Sequence, residues 1–114
     1  MHLNNKILLS DIDAFIFDFD GVLTNNLVYI NEDGKESVVC SRADGLAFDA
    51  LSKLNKPTFI LSTEKNQVVS ERAKKINVPV IQGVNDKVEA LNNIAKQKKF
   101  DFKKIFYIGN DLND

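Results

Sequence analysis

Two aspartates, Asp18 and Asp20, stand at the end of the apolar, aromatic-rich run Phe15-Ile16-Phe17. Such a run predicts a buried β-strand. Side chains at positions i and i+2 of a strand point to the same face, so continued strand geometry would set the two carboxylates side by side. Carboxylates that close repel each other, and a bound cation relieves the repulsion. The pair therefore predicts a cation site where the strand leaves the sheet, and Gly21 would let the backbone turn there.

Two further polar residues stand beside other predicted elements. Ser62 follows the apolar run Thr58-Phe59-Ile60-Leu61. A hydroxyl group there could bind phosphoryl oxygens, although serine at a strand end is most often an ordinary cap. Lys87 opens a predicted helix, where the positive end of the helix dipole disfavours a cation. Its position indicates either contact with an anion such as phosphate or, as for most lysines, a solvated surface residue.

Strand and helix patterns alternate along the chain. The strand-like runs are 14–19, 58–61, 78–81 and 104–108, and the helix-like runs are 44–54, 66–75 and 87–98. The third strand is expected to be marginal because Pro79 cannot donate a ladder hydrogen bond. Buried strands that alternate with helices favour a parallel sheet with helices on both faces. The predicted fold is a Rossmann-like three-layer α/β/α sandwich.

Two of the helices have apolar faces that predict how they pack. The first is expected to open at Asp44-Gly45, and the third to be capped by Asp86. The apolar residues expected to face the core are Leu46, Ala47, Ala50, Leu51 and Leu54 in the first helix, and Val88, Leu91, Ile94 and Ala95 in the third.

A β-hairpin is predicted as an insertion after the first strand. The β-prone runs 27–30 and 36–40 flank the turn-forming sequence Asn31-Glu32-Asp33-Gly34. Both runs are unusually apolar, and a two-stranded ribbon cannot bury both of its faces against one small domain. The hairpin is therefore expected to pack on a neighbouring subunit; the alternative is a hairpin that lies flat on its own domain.

Composition restricts the class of protein. The 114 residues, 44% apolar and 27% charged, suit one globular domain, and the net charge of −1 offers no basic surface for nucleic acid. No apolar run approaches the ~18 residues of a membrane span. The single cysteine, Cys40, excludes an intramolecular disulfide and suits the reducing cytoplasm. We expect a cytoplasmic protein without nucleic-acid or membrane partners, in which Cys40 is a half-buried strand residue.

The string Phe-Asp-Phe-Asp-Gly-Val-Leu-Thr at 17–24 resembles the first motif of the haloacid dehalogenase-like phosphohydrolases. The resemblance implies that Asp18 is a nucleophile and Asp20 a general acid/base, both beside Mg²⁺. It also implies that Ser62, as the second motif, and Lys87, as the third, bind the phosphoryl group. The activity implied is phosphate-monoester hydrolysis through an aspartyl-phosphate.

The sequence Gly109-Asn110-Asp111-Leu112-Asn113-Asp114 resembles the fourth motif of the same family, which supplies further acidic ligands. Asn110 stands where the first acid commonly falls. Asp111 is the predicted third Mg²⁺ ligand, because a carboxylate binds a hard cation better than an amide does, and Asn110 is the alternative. Family members continue beyond this motif with a helix and usually a strand. Residues 1–114 are therefore expected to form one domain that lacks those elements.

Segments 31–36 and 41–46 resemble one branch of the family. It contains 3-deoxy-manno-octulosonate 8-phosphate phosphatases, nonulosonate 9-phosphate phosphatases and the carboxyl-terminal modules of acylneuraminate cytidylyltransferases. The branch implies a homotetramer and a phosphorylated 2-keto-3-deoxy sugar acid as substrate, of eight or nine carbons. Arg42 could bind the substrate carboxylate as a bidentate partner; the alternative is an arginine on the surface.

Two alternative functions belong to other classes. A phospho-receiver domain has a similar length, an acidic pair, a hydroxyl and a lysine. It needs its phosphorylated aspartate after a middle strand, however, where this chain has Ser62-Thr63. A catalytically silent, oligomerising module of an acylneuraminate cytidylyltransferase is the second alternative. The intact Asp18, Asp20 and Lys87 count against it.

Overall fold

The structure of the protein is a computed structural model, and it describes residues 8–109. The strands are β1 (Ala14–Asp18), β2 (Tyr29–Ile30), β3 (Glu36–Ser37), β4 (Thr58–Leu61), β5 (Val80–Ile81) and β6 (Ile105–Ile108). The α-helices are α1 (Arg42–Ser52), α2 (Gln67–Lys75) and α3 (Lys87–Lys98). Short 3-10 turns cover Leu9–Asp11 and Phe102–Lys104. None of the described helices has the length and apolar character that crossing a membrane requires.

The main sheet has the strand order β5-β4-β1-β6, and each pair of neighbours is parallel. The central strand β1 pairs with β4 on one side and with β6 on the other, so that Phe17 lies opposite both Ile60 and Ile108. Parallel strands end at the same edge of a sheet. The carboxyl ends of β1 and β4 therefore bring Asp18 and the residue after Leu61 together.

Helices cover both faces of this sheet. On one face, Phe48 of α1 and Val69 and Ala73 of α2 pack with Phe19 and Ile60. On the other face, Leu91 and Ile94 of α3 pack with Ile16 and Leu61. The change of face follows the two-residue period of the strands, since Ile60 and Leu61 are neighbours that belong to different cores. The predicted three-layer α/β/α fold is confirmed.

Strand β5 is short, as Pro79 led us to expect. It has two residues and lies at an edge of the sheet. Pro79 itself stands just before the strand, where its carbonyl oxygen accepts a hydrogen bond from Ile60 N at 2.9 Å. Proline is compatible with this position because it needs only an acceptor there.

The predicted hairpin is present. Strands β2 and β3 are antiparallel, with Tyr29 opposite Ser37, and the Asn31 side chain accepts hydrogen bonds from the backbone of Asp33 and Lys35. A further bridge joins Thr24 to Cys40 near the base. The apolar side chains of the first strand and its approach are exposed, by 49% to 67%: Leu27, Val28, Tyr29 and Ile30.

The prediction for α1 was wrong in its start and in its buried face. The helix begins at Arg42, with the Ser41 side chain as its cap, and not at Asp44. Phe48 is buried, whereas Leu46 is 73% exposed and Ala47, Ala50 and Leu54 are also exposed. Of the residues predicted to face the core, Leu51 is the one that packs against it, and it is half-buried. The Phe48 ring packs edge-on against Phe17 at 4.9 Å between centroids. The contact of this large buried ring with the sheet sets the rotation of the helix.

Helix α3 follows its prediction more closely. It runs from Lys87 to Lys98, and the Asp86 side chain caps it by accepting a hydrogen bond from Glu89 N. Leu91, Ile94 and Ala95 are buried as predicted, but Val88 is 53% exposed. The sheet-facing side of the helix therefore starts one turn later than its sequence pattern indicates.

Candidate active site

The site begins with the pair formed by Asp18 and Lys87. Asp18 is the last residue of β1 and is 5% exposed. Lys87 is the first residue of α3, and its Nζ lies 3.3 Å from Asp18 Oδ2. The other carboxylate oxygen of Asp18 accepts a hydrogen bond from Phe19 N at 2.9 Å. A lysine at the positive end of a helix dipole is thus explained by its contact with a buried carboxylate.

Asp20 lies just beyond the strand, in a tight turn. The strand ends at Asp18, so the two carboxylates are not set side by side by strand geometry, contrary to that part of the prediction. Gly21 adopts φ +81°, a left-handed conformation that favours glycine, and its N–H donates to Thr24 Oγ1. The backbone therefore turns at the place where Gly21 predicted it would.

The surroundings of Asp20 favour its protonated form. Partial burial raises the pKa of its carboxyl group above the usual value, and the negative charges of Glu64 and Glu36 raise it further. The positive charge of Lys87 opposes them. A carboxyl group with a raised pKa can hold a proton that an ordinary aspartate would lose, which suits a general acid.

Ser62 is buried at the carboxyl end of β4, next to Leu61, which is the partner of Asp18. Its Oγ accepts a hydrogen bond from Glu64 N at 3.0 Å, which is the ordinary local capping expected of serine here. A hydroxyl group accepts and donates at the same time, so Ser62 keeps the capacity to donate to a phosphoryl oxygen. Its role in phosphate binding stays a prediction.

Arg42 is placed differently from the other predicted residues. It is exposed at the start of α1 and is therefore a helix residue, not one of the strand. Its exposure agrees with the alternative of a surface arginine. A role in binding the substrate carboxylate stays a prediction.

Arg72 of α2 was missed in the sequence. It is half-buried, and its Nη2 donates to Ser41 O at 2.8 Å, so it ties α2 to the cap of α1. Its Nε is buried and has no hydrogen-bond partner among the described residues. The signal was its spacing of three residues from the buried Val69, which brings an arginine toward the core side of a helix.

Cys40 is half-buried, as predicted, beside this arginine. Burial raises the pKa of its thiol, the positive charge of Arg72 lowers it, and the charges of Asp44 and Asp20 raise it. A thiol with a raised pKa is a poor nucleophile at neutral pH. Cys40 is therefore a packing residue of the hairpin base.

The carboxylates of Asp18 and Asp20 are hard oxygen donors of the kind that Mg²⁺ prefers. Burial first, and then the negative charges of Glu64 and Glu36, raise the pKa of Asp20. A divalent cation beside Asp18 would offset the negative charge that gathers at this edge of the sheet. Residues 8–109 contain no group of three or more side chains placed to hold a metal ion. The predicted third ligand, Asp111, and its alternative Asn110 lie outside the described residues.

Asp18 at the end of the central strand, Ser62 after the neighbouring strand β4 and Lys87 at the start of α3 thus lie at one edge of a parallel sheet. In sequence and fold, the chain is similar to hydrolases of the haloacid dehalogenase-like superfamily. No model of a protein family matches it.

Among curated proteins, the chain is similar to the 3-deoxy-D-manno-octulosonate 8-phosphate phosphatase of Salmonella typhi. The two are 27% identical over 105 residues, which are 91% of this chain and 56% of the relative. The chain thus spans about half the length of the curated relatives that it matches.

Solved structures agree with this comparison. A protein from Streptomyces avermitilis classed as a HAD family hydrolase superposes with a TM-score of 0.91 at 41% identity, over 99% of this chain and 65% of its own. The 3-deoxy-D-manno-octulosonate 8-phosphate phosphatase of Moraxella catarrhalis, solved with magnesium, phosphate and 3-deoxy-D-manno-octulosonate, has a TM-score of 0.85 at 31% identity. That match covers 91% of this chain and 60% of the phosphatase.

Proposed function

We propose that this chain is the catalytic domain of a Mg²⁺-dependent phosphatase that hydrolyses the phosphate monoester of a 2-keto-3-deoxy sugar acid. The observation that carries the proposal is the ion pair between the buried Asp18 and Lys87 at the carboxyl end of the central strand. The relatives support the substrate class, since the phosphatases of Salmonella typhi and Moraxella catarrhalis are named for 3-deoxy-D-manno-octulosonate 8-phosphate. An octulosonate 8-phosphate and a nonulosonate 9-phosphate both fit this class.

Charge explains why the site needs its cations. A phosphate monoester is close to a dianion, and an anionic nucleophile approaches it only when that charge is offset. The ammonium group of Lys87 can contact both Asp18 and a phosphoryl oxygen, and Ser62 can donate to a second oxygen. Bound Mg²⁺, held by the Asp18 carboxylate, by an oxygen of Asp20 that does not carry the proton and by Asp111 as the predicted third ligand, would neutralise further charge on the transferred group.

The proposed reaction has two steps. In the first, a carboxylate oxygen of Asp18 attacks phosphorus, the bond from phosphorus to the sugar oxygen breaks, and Asp20 gives its proton to the leaving alkoxide. In the second, water attacks the phosphorus of the aspartyl-phosphate. Asp20 takes the proton from that water, and Asp18 is released as a carboxylate. The raised pKa of Asp20 supports the first of these roles.

Recognition of the sugar acid is part of the proposal. A 2-keto acid carries a carboxylate, for which Arg42 is the proposed ligand. Because Arg42 is exposed in the single chain, we propose that a neighbouring subunit completes its surroundings. The exposed apolar hairpin is the surface that such a neighbour would cover. The proposed assembly is a homotetramer in the cytoplasm.

A phosphate-release screen tests the proposal. The full-length protein is offered octulosonate 8-phosphate, nonulosonate 9-phosphate and ordinary hexose phosphates, each with Mg²⁺ or with a chelator. We expect release from a sugar acid phosphate, its loss with the chelator, and weaker turnover of hexose phosphates. Absence of phosphate release from both sugar acids would overturn the proposal and favour a catalytically silent module.

A further inference from the structure

Two loops at the active edge of the sheet are hydrogen-bonded to each other. One is 62–66, between β4 and α2, and the other is 82–86, between β5 and α3. Val84 N donates to Ser62 O at 3.2 Å, and Gly83 N donates to Glu64 O at 3.1 Å. The first loop starts with Ser62 and the second leads directly into Lys87. The spacing between the loops therefore controls the spacing between the two predicted phosphate-binding residues.

The side chain of Gln82 crosses between these loops. Its Nε2 donates to Glu64 O at 3.2 Å and to Asn66 O at 3.1 Å, and the residue is half-buried. A carboxamide nitrogen has two hydrogens, so both of its donors are used. Asn66 is the cap of α2, which means that the Gln82 side chain holds the loop after β4 at its middle and at its end.

The loops approach each other closely beside Gln82. Gly83 has φ +71°, and a Cβ atom there would lie 3.4 Å from Lys65 Cγ. A side chain at this position would be strained by the backbone conformation, and its Cβ would be in van der Waals contact with the Lys65 side chain of the opposite loop. Glycine thus permits the contact that the Gln82 carboxamide secures.

The sheet alone holds the second loop weakly. Strand β5, which leads into it, has two residues and lies at the edge of the sheet, paired with β4. A short edge strand fixes its following loop less firmly than a central strand does, because fewer ladder hydrogen bonds restrain it. Lys87 nevertheless has to stay close to Asp18, with 3.3 Å between Nζ and Oδ2.

We propose that Gln82 is a positioning residue, whose carboxamide locks the loop of Ser62 to the loop of Lys87 so that both side chains meet one phosphoryl group beside Asp18. The inference rests on the proposed phosphatase function. It adds a residue that touches neither the substrate nor the metal but acts through the two that bind phosphate. Small displacements of such groups have large effects on rate.

The test uses Gln82→Met, which keeps the length of the side chain and removes both donors. Gln97→Met, an exposed glutamine in the last turn of α3, is the matched control. In Gln82→Met we expect kcat/KM to fall by about tenfold and inhibition by inorganic phosphate to weaken by a similar factor. Circular dichroism should show a folded protein. Gln97→Met should match the wild type in each measurement.

Unchanged kcat/KM and unchanged phosphate inhibition in folded Gln82→Met would overturn the inference, as would the same losses in Gln97→Met. If the wild type itself releases no phosphate, the proposed function fails. Hydrogen exchange then tests the role of Gln82 in joining the two loops, independently of catalysis. If the Gln82 carboxamide joins the two loops, the Gly83 and Val84 amides should exchange faster in Gln82→Met than in the wild type, because these amides donate hydrogen bonds to the opposite loop. Equal exchange rates would overturn that role.

Discussion

Asp18 is held by two different partners, one at each carboxylate oxygen: Lys87 Nζ and Phe19 N. This arrangement orients a buried carboxylate at the end of a strand. Of the two acids, Asp18 has the fixed position that a nucleophile needs, whereas Asp20 has the raised pKa that an acid needs. The surroundings of two chemically identical side chains thus suit the different roles proposed for them.

The first prediction concerns the nucleophile. Asp18→Asn should lower phosphate release by at least about a thousandfold, because an amide cannot form the aspartyl-phosphate, while its oxygen can still accept from Phe19 N. Initial rates on a sugar acid phosphate measure the loss. Asp49→Asn, on the exposed side of α1, is the control and should keep full activity. Comparable rates for Asp18→Asn and the wild type would refute the mechanism.

The second prediction concerns the pH dependence of kcat/KM. Asp20 must be protonated for the first step, so the rate should fall as pH rises through its raised pKa. Glu64→Gln removes a negative charge that helps to raise this pKa, and the Gln oxygen can still accept from Lys65 N and Asn66 N. The alkaline limb of the profile should therefore move to lower pH.

A variant with the same change of charge at an exposed site controls this experiment. Glu71→Gln, in the exposed part of α2, should leave the profile in place. Asp20→Asn should abolish the limb and slow turnover by about a hundredfold or more. If Glu64→Gln leaves the limb unmoved, Glu64 does not act on Asp20 through its charge.

At the scale of elements, the apolar pattern identified every strand of the main sheet but predicted the wrong rotation of α1. Both Leu46 and Phe48 are apolar, and a helical period of 3.6 residues accommodates a face built on either. Only contact with Phe17 on the sheet chooses between them. The hairpin was predictable because its turn residues and its two β-prone runs carry a local signal.

The third prediction tests that rotation through stability. Phe48→Ala should lower the free energy of unfolding by about 3–5 kcal/mol, because it opens a cavity between α1 and the sheet. Leu46→Ala, at a 73% exposed position of the same helix, should change it by less than about 0.5 kcal/mol. Urea unfolding of the whole chain measures both. A larger loss for Leu46→Ala than for Phe48→Ala would place the buried face where the sequence pattern had it, and equal losses would contradict the observed rotation.

At the scale of the whole molecule, the hairpin exposes an apolar surface at the edge of a small domain. Tyr29 and Ile30 are 64% and 67% exposed, respectively. Large apolar side chains grouped in this way are typical of surfaces that another subunit covers. Closure of the site by such a neighbour would exclude water from the reacting phosphoryl group.

The fourth prediction is that the hairpin mediates the assembly. Light scattering coupled to size exclusion should give a tetramer for the wild type and smaller species for the double variant Tyr29→Ser, Ile30→Ser, with activity lost in parallel. Val88→Ser, which also removes an exposed apolar side chain but lies on α3, should stay tetrameric. A fully active wild-type monomer at assay concentration would refute this account of closure.

The sequence by itself determined the features that are local in the chain. Asp18, Asp20 and Gly21 are neighbours whose order predicts a strand end and a turn, and the cap at Asp86 marks the start of α3. The alternation of apolar strand-like runs with helix-like runs was enough to predict the parallel three-layer fold. These signals can be recognised in the sequence alone because each depends on residues that are a few positions apart.

The tertiary structure decided which distant residues meet. Lys87 reaches Asp18, Glu64 acts on the pKa of Asp20, and Gln82 joins two loops, although no local pattern relates the members of these pairs. Their approach depends on strand order, on helix rotation and on the close contact at Gly83. Electrostatic effects and hydrogen bonds depend on distances in space, and only the packed sheet and its loops set those distances.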